Sequence, residues 1–148
     1  MKTLLVDSVQ SEISRRIGML RLDSERKWGK MTPHQTICHL ADSFRGTMGE
    51  KRVSMATGIF QRTVLKWGGL YVPLTWPHGL PTMPEMDQQA GGTPPADFER
   101  DVRDLIVLMK RFLSGRKTRH PLFGTMTDWE WARWAYLHMD HHLRQFGV

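Results

Sequence analysis

A chain of 148 residues with 40% hydrophobic side chains is the size of one ordinary domain, and it can fill a core without disulfides or metal staples. The net charge of +6 and pI near 9.9 raise nucleic acid or anionic lipid as partners, but the basic residues fall in short clusters (Arg15-Arg16, Lys51-Arg52, Lys110-Arg111, Arg116-Lys117-Arg119) separated by acids, which argues against a specific nucleic-acid interface. The single cysteine, Cys38, excludes an internal disulfide and reads as a small buried hydrophobe in a reducing cytoplasm.

The first residues offer only the apolar stretch Leu4-Leu5-Val6 around Thr3 before Asp7, too short for a secretory signal, so no export is expected. A first helix is predicted from about Ser8 to Leu22, where Val9, Ile13, Ile17 and Leu20 recur at helical spacing. The following stretch, Asp23 to Lys30, has turn and surface character.

The second helix opens at Thr32-Pro33-His34-Gln35, with Thr as N-cap, Pro in the first helical position and Gln closing a capping box, and runs to about Glu50. Ile37, Leu40, Ala41, Phe44 and Met48 form its apolar stripe. Gln35, His39, Asp42, Ser43 and Gly46 gather on another side, an unusual polar and small face for a simple bundle helix.

From Lys51 to about Pro95 the pattern loosens, with a short helix predicted over Ile59 to Trp67 and Pro and Gly punctuating the remainder. The apolar stretch Val53 to Leu74 is broken by Gln61, Arg62, Lys66 and three glycines, so it falls short of the roughly 20 clean apolar residues of a membrane span. This segment reads as a crossover along the length of a bundle, covering one opening. An apolar strip on it is a candidate homodimer surface.

A third helix is predicted from Ala96-Asp97 to Leu113, with Phe98, Val102, Leu105, Ile106, Met109, Phe112 and Leu113 on one broad face. The fourth opens with a second capping box, Thr127-Asp128-Trp129-Glu130, and ends before Gly147. No alternating strand, repeat or low-complexity tract is visible. The expectation is an all-α protein: one four-helix bundle over residues 1–148, with the second and third helices parallel.

On the last helix His138 and His142 stand four residues apart, about 40° around the axis and about 6 Å along it, so both rings can close on one ion. They share a side with Trp131 and Ala135. Arg133, Asp140 and Arg144 form the opposite, solvated face, and His141 lies at the edge. An isolated pair of this spacing is more often two hydrogen-bonded histidines than a metal site. His39, on the small and polar face of the second helix, is the best third ligand, with Asp42 placed to orient a neighbouring ring. His34, His78 and His120 read as turn or solvated histidines.

Several segments together resemble the DinB/YfiT-like superfamily of metalloenzymes, and more narrowly its uncharacterised branch. They are Trp28-Gly-Lys-Met-Thr-Pro-His-Gln35, Cys38-His-Leu-Ala-Asp42-Ser43, His120-Pro-Leu-Phe-Gly-Thr-Met-Thr127 with Trp131 following, and His138-Met-Asp-His-His142-Leu-Arg-Gln-Phe. The resemblance implies a four-helix bundle with a long connection between helices two and three. It also implies a metal held by one histidine of the second helix and the H-x-x-x-H pair of the fourth, positions that fall here on His39, His138 and His142.

Three neutral imidazoles leave a divalent ion an open position, and nitrogen donors favour zinc or nickel. The expected function is a metal-dependent enzyme acting on a small molecule, either a hydrolase using activated water or a transferase using a coordinated thiol. Asp42 and His141 are the candidates for orienting or proton-transfer roles. The alternative is a non-catalytic helical module whose Trp67, Trp76 and Trp129 bind a protein or polyanionic partner.

Overall fold

The computed structural model describes residues 1–56 and 58–148 and is all-helical. Five α-helices follow in chain order: α1 (Asp7–Met19), α2 (Pro33–Thr47), α3 (Lys66–Tyr71), α4 (Phe98–Ser114) and α5 (Asp128–Arg144). A π-helical turn (Gln61–Leu65) leads into α3, and a 3-10 turn (Pro84–Met86) sits in the crossover. Among the described residues there is no strand; a single bridge joins His120 and Gly124. Among the described residues no helix is long and apolar enough to cross a membrane.

Local chemistry sets the helix starts. Thr32 accepts from the Gln35 N–H while the Gln35 side chain accepts from the Thr32 N–H, and Pro33 takes the first position, where no amide hydrogen is needed. Thr127 and Glu130 repeat the arrangement at α5, and Asp97 caps α4. The ends are less local. Helix α1 stops at Met19, because Leu20 turns extended (ψ 135°) and buries its side chain in the core, whereas the apolar spacing alone carries on to Leu22, which is 64% exposed.

Helices α2 and α4 run in the same direction. His34 pairs with Asp101 at their beginnings (2.7 Å), Phe44 meets Phe112 further along, and Glu50 pairs with Arg111 beyond the end of α2 (2.6 Å). Helix α5 runs against α2, since His39 faces His138 and His142 while Phe44 faces Trp134. One apolar cluster fills the space between them, built on Ile13, Ile37, Phe44, Met109, Phe112 and Trp134.

The side of α5 expected to be solvated is partly covered. Arg133 is buried: its Nε donates to the Leu70 carbonyl (3.1 Å) and its Nη1 to the Lys2 carbonyl (2.8 Å). The helical wheel placed this arginine correctly on the outer side, but α3 and the N-terminal segment lie over that side. Asp140 is half-buried against Arg16 (2.7 Å), leaving only Arg144 exposed.

The crossover is tied down by Asp42. Its carboxylate has no exposed surface and accepts from Lys51 Nζ (2.6 Å), the Thr93 N–H (2.7 Å) and the Thr93 hydroxyl (2.7 Å). One side chain thus holds both ends of the connection against α2. Asp42 therefore has a different role from the one its position suggested, since it orients no imidazole. Removing one member of a buried ion pair strands the other charge. Asp42→Ala should therefore lower stability by about 3 kcal/mol in urea unfolding and speed amide exchange at Thr93; a loss under about 0.5 kcal/mol contradicts the clamp.

Candidate metal centre

Helices α2 and α5 bring His39, His138 and His142 together, with one possible donor atom of each within 4.8 Å of the others. The Nε2 atoms of His39 and His142 each stand 3.1 Å from Nε2 of His138. In a tetrahedral site with metal–nitrogen bonds of about 2.0–2.1 Å, neighbouring donors are about 3.3 Å apart. His138 Nε2 already stands at nearly that distance from each of the other two.

Two contacts decide which nitrogen faces inward. His39 Nδ1 lies 2.9 Å from the Met86 carbonyl, which can only accept, so this nitrogen carries the hydrogen and Nε2 presents a lone pair. His142 Nδ1 donates to Gln145 Oε1 at 2.8 Å, with the same result. A hydrogen on His138 Nε2 could serve one of the facing lone pairs fully but not both. Burial, foremost, pushes the pKa of all three rings down, and for His138 and His142 the neighbouring imidazoles add to the effect. Three neutral nitrogen donors converging on one point form a ligand set for a borderline divalent cation.

Support comes from loops. Gln145, three residues after His142, is buried. Gly29 stands beside its amide in the left-handed region (φ +87°), and a Cβ there would collide with Gln145 Nε2. The Lys27 N–H donates to the Gln145 carbonyl (2.7 Å), fixing the loop after α1 to the end of α5. The i, i+3 spacing of His142 and Gln145 is a signal the sequence carried. The Met86 carbonyl is main chain, and no residue type announces it.

His141 sits at the rim as its helical position predicts. Its ring is 5.1 Å from that of His142, edge-on to Trp28 (4.6 Å) and 6.1 Å from Trp76. Trp28 stacks on His78 at 3.8 Å, so two loops meet over this edge. Burial, then His78 and Arg144, lower the His141 pKa to about 4. A cleft of about 250 Å³ lies on the outer side of α5, among Lys2, Trp76, Tyr136, Asp140 and His141; the rings of Trp76 and His141 stand between it and those of His138 and His142.

The remaining histidines lie outside the cluster. His34 is half-buried and hydrogen-bonded to Asp101 (2.7 Å), and His78 is exposed. His120 is buried rather than solvated: its Nδ1 accepts the N–H groups of Leu122 (3.2 Å) and Phe123 (3.1 Å) and shapes the turn before α5. The Cys38 thiol is pushed up to about 11 by burial and the carboxylates of Asp101 and Asp42, in keeping with a small core side chain.

A family model described as "Protein of unknown function (DUF1569)" matches residues 3–147. No curated protein and no solved structure matches the chain.

Buried neutral histidines make stability depend on acid. Burial, assisted by Lys66, lowers the His120 pKa to about 3 from an ordinary 6.5. Between those values the unfolded chain binds a proton that the folded chain refuses, so stability falls as pH drops from about 6.5 toward 3. His39, His138 and His142, lowered in the same direction, add to the slope. Denaturant unfolding of metal-free protein should show this fall, and His120→Asn should reduce the slope by about one proton; equal stability at about pH 7 and 4.5 contradicts it.

Proposed function

The chain belongs to DUF1569, a family of proteins of unknown function, and we propose that it is a divalent-metal enzyme acting on a small molecule. In this reading His39, His138 and His142 hold zinc or nickel, and the fold is a single DinB/YfiT-like four-helix bundle. The observation that carries it is the convergence of three Nε2 atoms across 3.1 Å contacts, with two of the opposite nitrogens committed to Met86 and Gln145. The parallel run of α2 and α4, which a long crossover makes possible, supports the bundle assignment.

His39, His138 and His142 would leave a bound divalent ion one open position, and the chemistry it would supply there is activation of a water or a thiol as nucleophile near neutral pH. The chain supplies the other parts. Met86 and Gln145 keep two rings in the tautomer that leaves Nε2 free. Trp28 and Trp76 flank the rim, and His141, whose neutral ring is 5.1 Å from that of His142, would orient an incoming water or thiol there by hydrogen bonding. Hydrolase and thiol-dependent transferase chemistry both fit this set. The competing reading, a non-catalytic binding module, predicts binding to a protein or polyanion that does not require metal.

Protein purified without affinity-column metal should take up close to one zinc or nickel ion per chain in calorimetric titration. His138→Ala should abolish uptake while leaving the helical circular dichroism unchanged. Gln145→Ala should weaken uptake by about 10–100-fold, as for other partners that orient a ligating imidazole. A wild-type chain that binds neither ion overturns the proposal.

A further inference from the structure

We propose that the outward face of the segment from Ile59 to Leu74 is the contact surface for a second copy of this chain. Phe60, Val64 and Trp67 recur at i, i+4 and i+7 and are 59%, 58% and 63% exposed; Ile59 (77%) extends the strip at its start, and Leu74 (70%) follows beyond α3, where it also lines the cleft beside α5. On the opposite side of the segment Lys66, Gly69 and Leu70 are turned toward the body of the protein, while Arg62 lays its stem on the body and leaves its guanidinium exposed. Lys66 pairs with Glu130 (2.7 Å) and donates to the Thr125 carbonyl, the stem of Arg62 lies over Gly124, Gly69 is against Phe123, and Leu70 is fully buried. The segment is thus amphipathic in the inverse sense, with Lys66 inward and large apolar groups outward.

A monomer seldom leaves so many large apolar side chains together in water, since the largest patch on a typical one is about 300–600 Å². A stable pair of chains buries roughly 800 Å² on each partner, a scale that calls on these side chains together with their exposed neighbours Leu65 and Tyr71. The strip bears no charge of its own, so a two-fold axis crossing it near Val64 brings like against like without burying an ion. An anionic membrane is the other occupant to consider, because no acidic residue lies between Lys51 and Pro84. Membrane-surface helices carry their cations where they reach headgroups, whereas here Lys66 is held inward by Glu130. The geometry therefore favours a second copy, and this inference does not depend on the metal reading.

The test is the mass of the full-length protein in sedimentation equilibrium over a wide range of concentration. The wild type should sediment at twice the chain mass of 17.2 kDa. Val64→Glu and Trp67→Glu should each sediment at the chain mass, with circular dichroism and metal uptake unchanged, since both positions are exposed in the isolated chain. Val107→Glu, at an exposed apolar position on α4 (64%), should remain dimeric. A wild type at the chain mass overturns the proposal, as does a dimer that survives both substitutions or is lost in Val107→Glu. So does a monomer that floats with phosphatidylserine vesicles and ceases to float in Val64→Glu.

Discussion

The Nε2 atom of His138, set at hydrogen-bond distance from the Nε2 atoms of both His39 and His142 inside a helical protein, is the constraint around which much of the surrounding structure is arranged. Identical acceptors repel unless a proton or cation lies between them, and in a medium of low polarity that repulsion is weakly screened. The chain nevertheless places them there and adds the Met86 carbonyl and the Gln145 amide to hold the hydrogens of His39 and His142 on the outside. Gly29 is part of the same support, because a side chain there would displace Gln145. Loops from distant parts of the chain thus converge on the tautomers of two histidines.

The same constraint explains the second face of α2. A helix that packed only against neighbouring helices would have little use for His39, Asp42, Ser43 and Gly46 along one side. Here that side receives the crossover. Asp42 ties Lys51 and Thr93 to the helix, and Gly46 leaves room for Val53, which a Cβ would strike. His39 reaches the 3-10 turn through Met86, and Ser43 returns its hydroxyl hydrogen to the His39 carbonyl (2.9 Å). Clamping the crossover at Asp42 also fixes the carbonyl that orients a candidate ligand, linking fold stability to site geometry.

Much of this was legible in the residues, and where it was not there is a physical reason. Capping boxes at Thr32 and Thr127 are local hydrogen-bond patterns within four residues, so both were visible, as was the shared face of His138 and His142. His39 could be nominated because its helix face was polar without an evident partner. Arg133 misled because periodicity reports the side of a helix a residue occupies and says nothing of what covers that side. Asp42 misled because its nearness to His39 in sequence concealed partners in the crossover. Met86 acts through its backbone, which leaves no compositional trace. The turn after Phe60 is wider than the expected helix, since its bonds span five residues in a π-turn before α3 begins.

The most direct test of the three-histidine centre is long-range 1H–15N correlation of the imidazole rings during titration with zinc. The account predicts that Nε2 of His39, His138 and His142 shift together to metal-bound values, that Nδ1 of His39 and His142 keep their hydrogens, and that the rings of His34, His78 and His120 stay as they were. Coordination through Nδ1 of His39 or His142, or a titration in which these three rings do not respond, would contradict it.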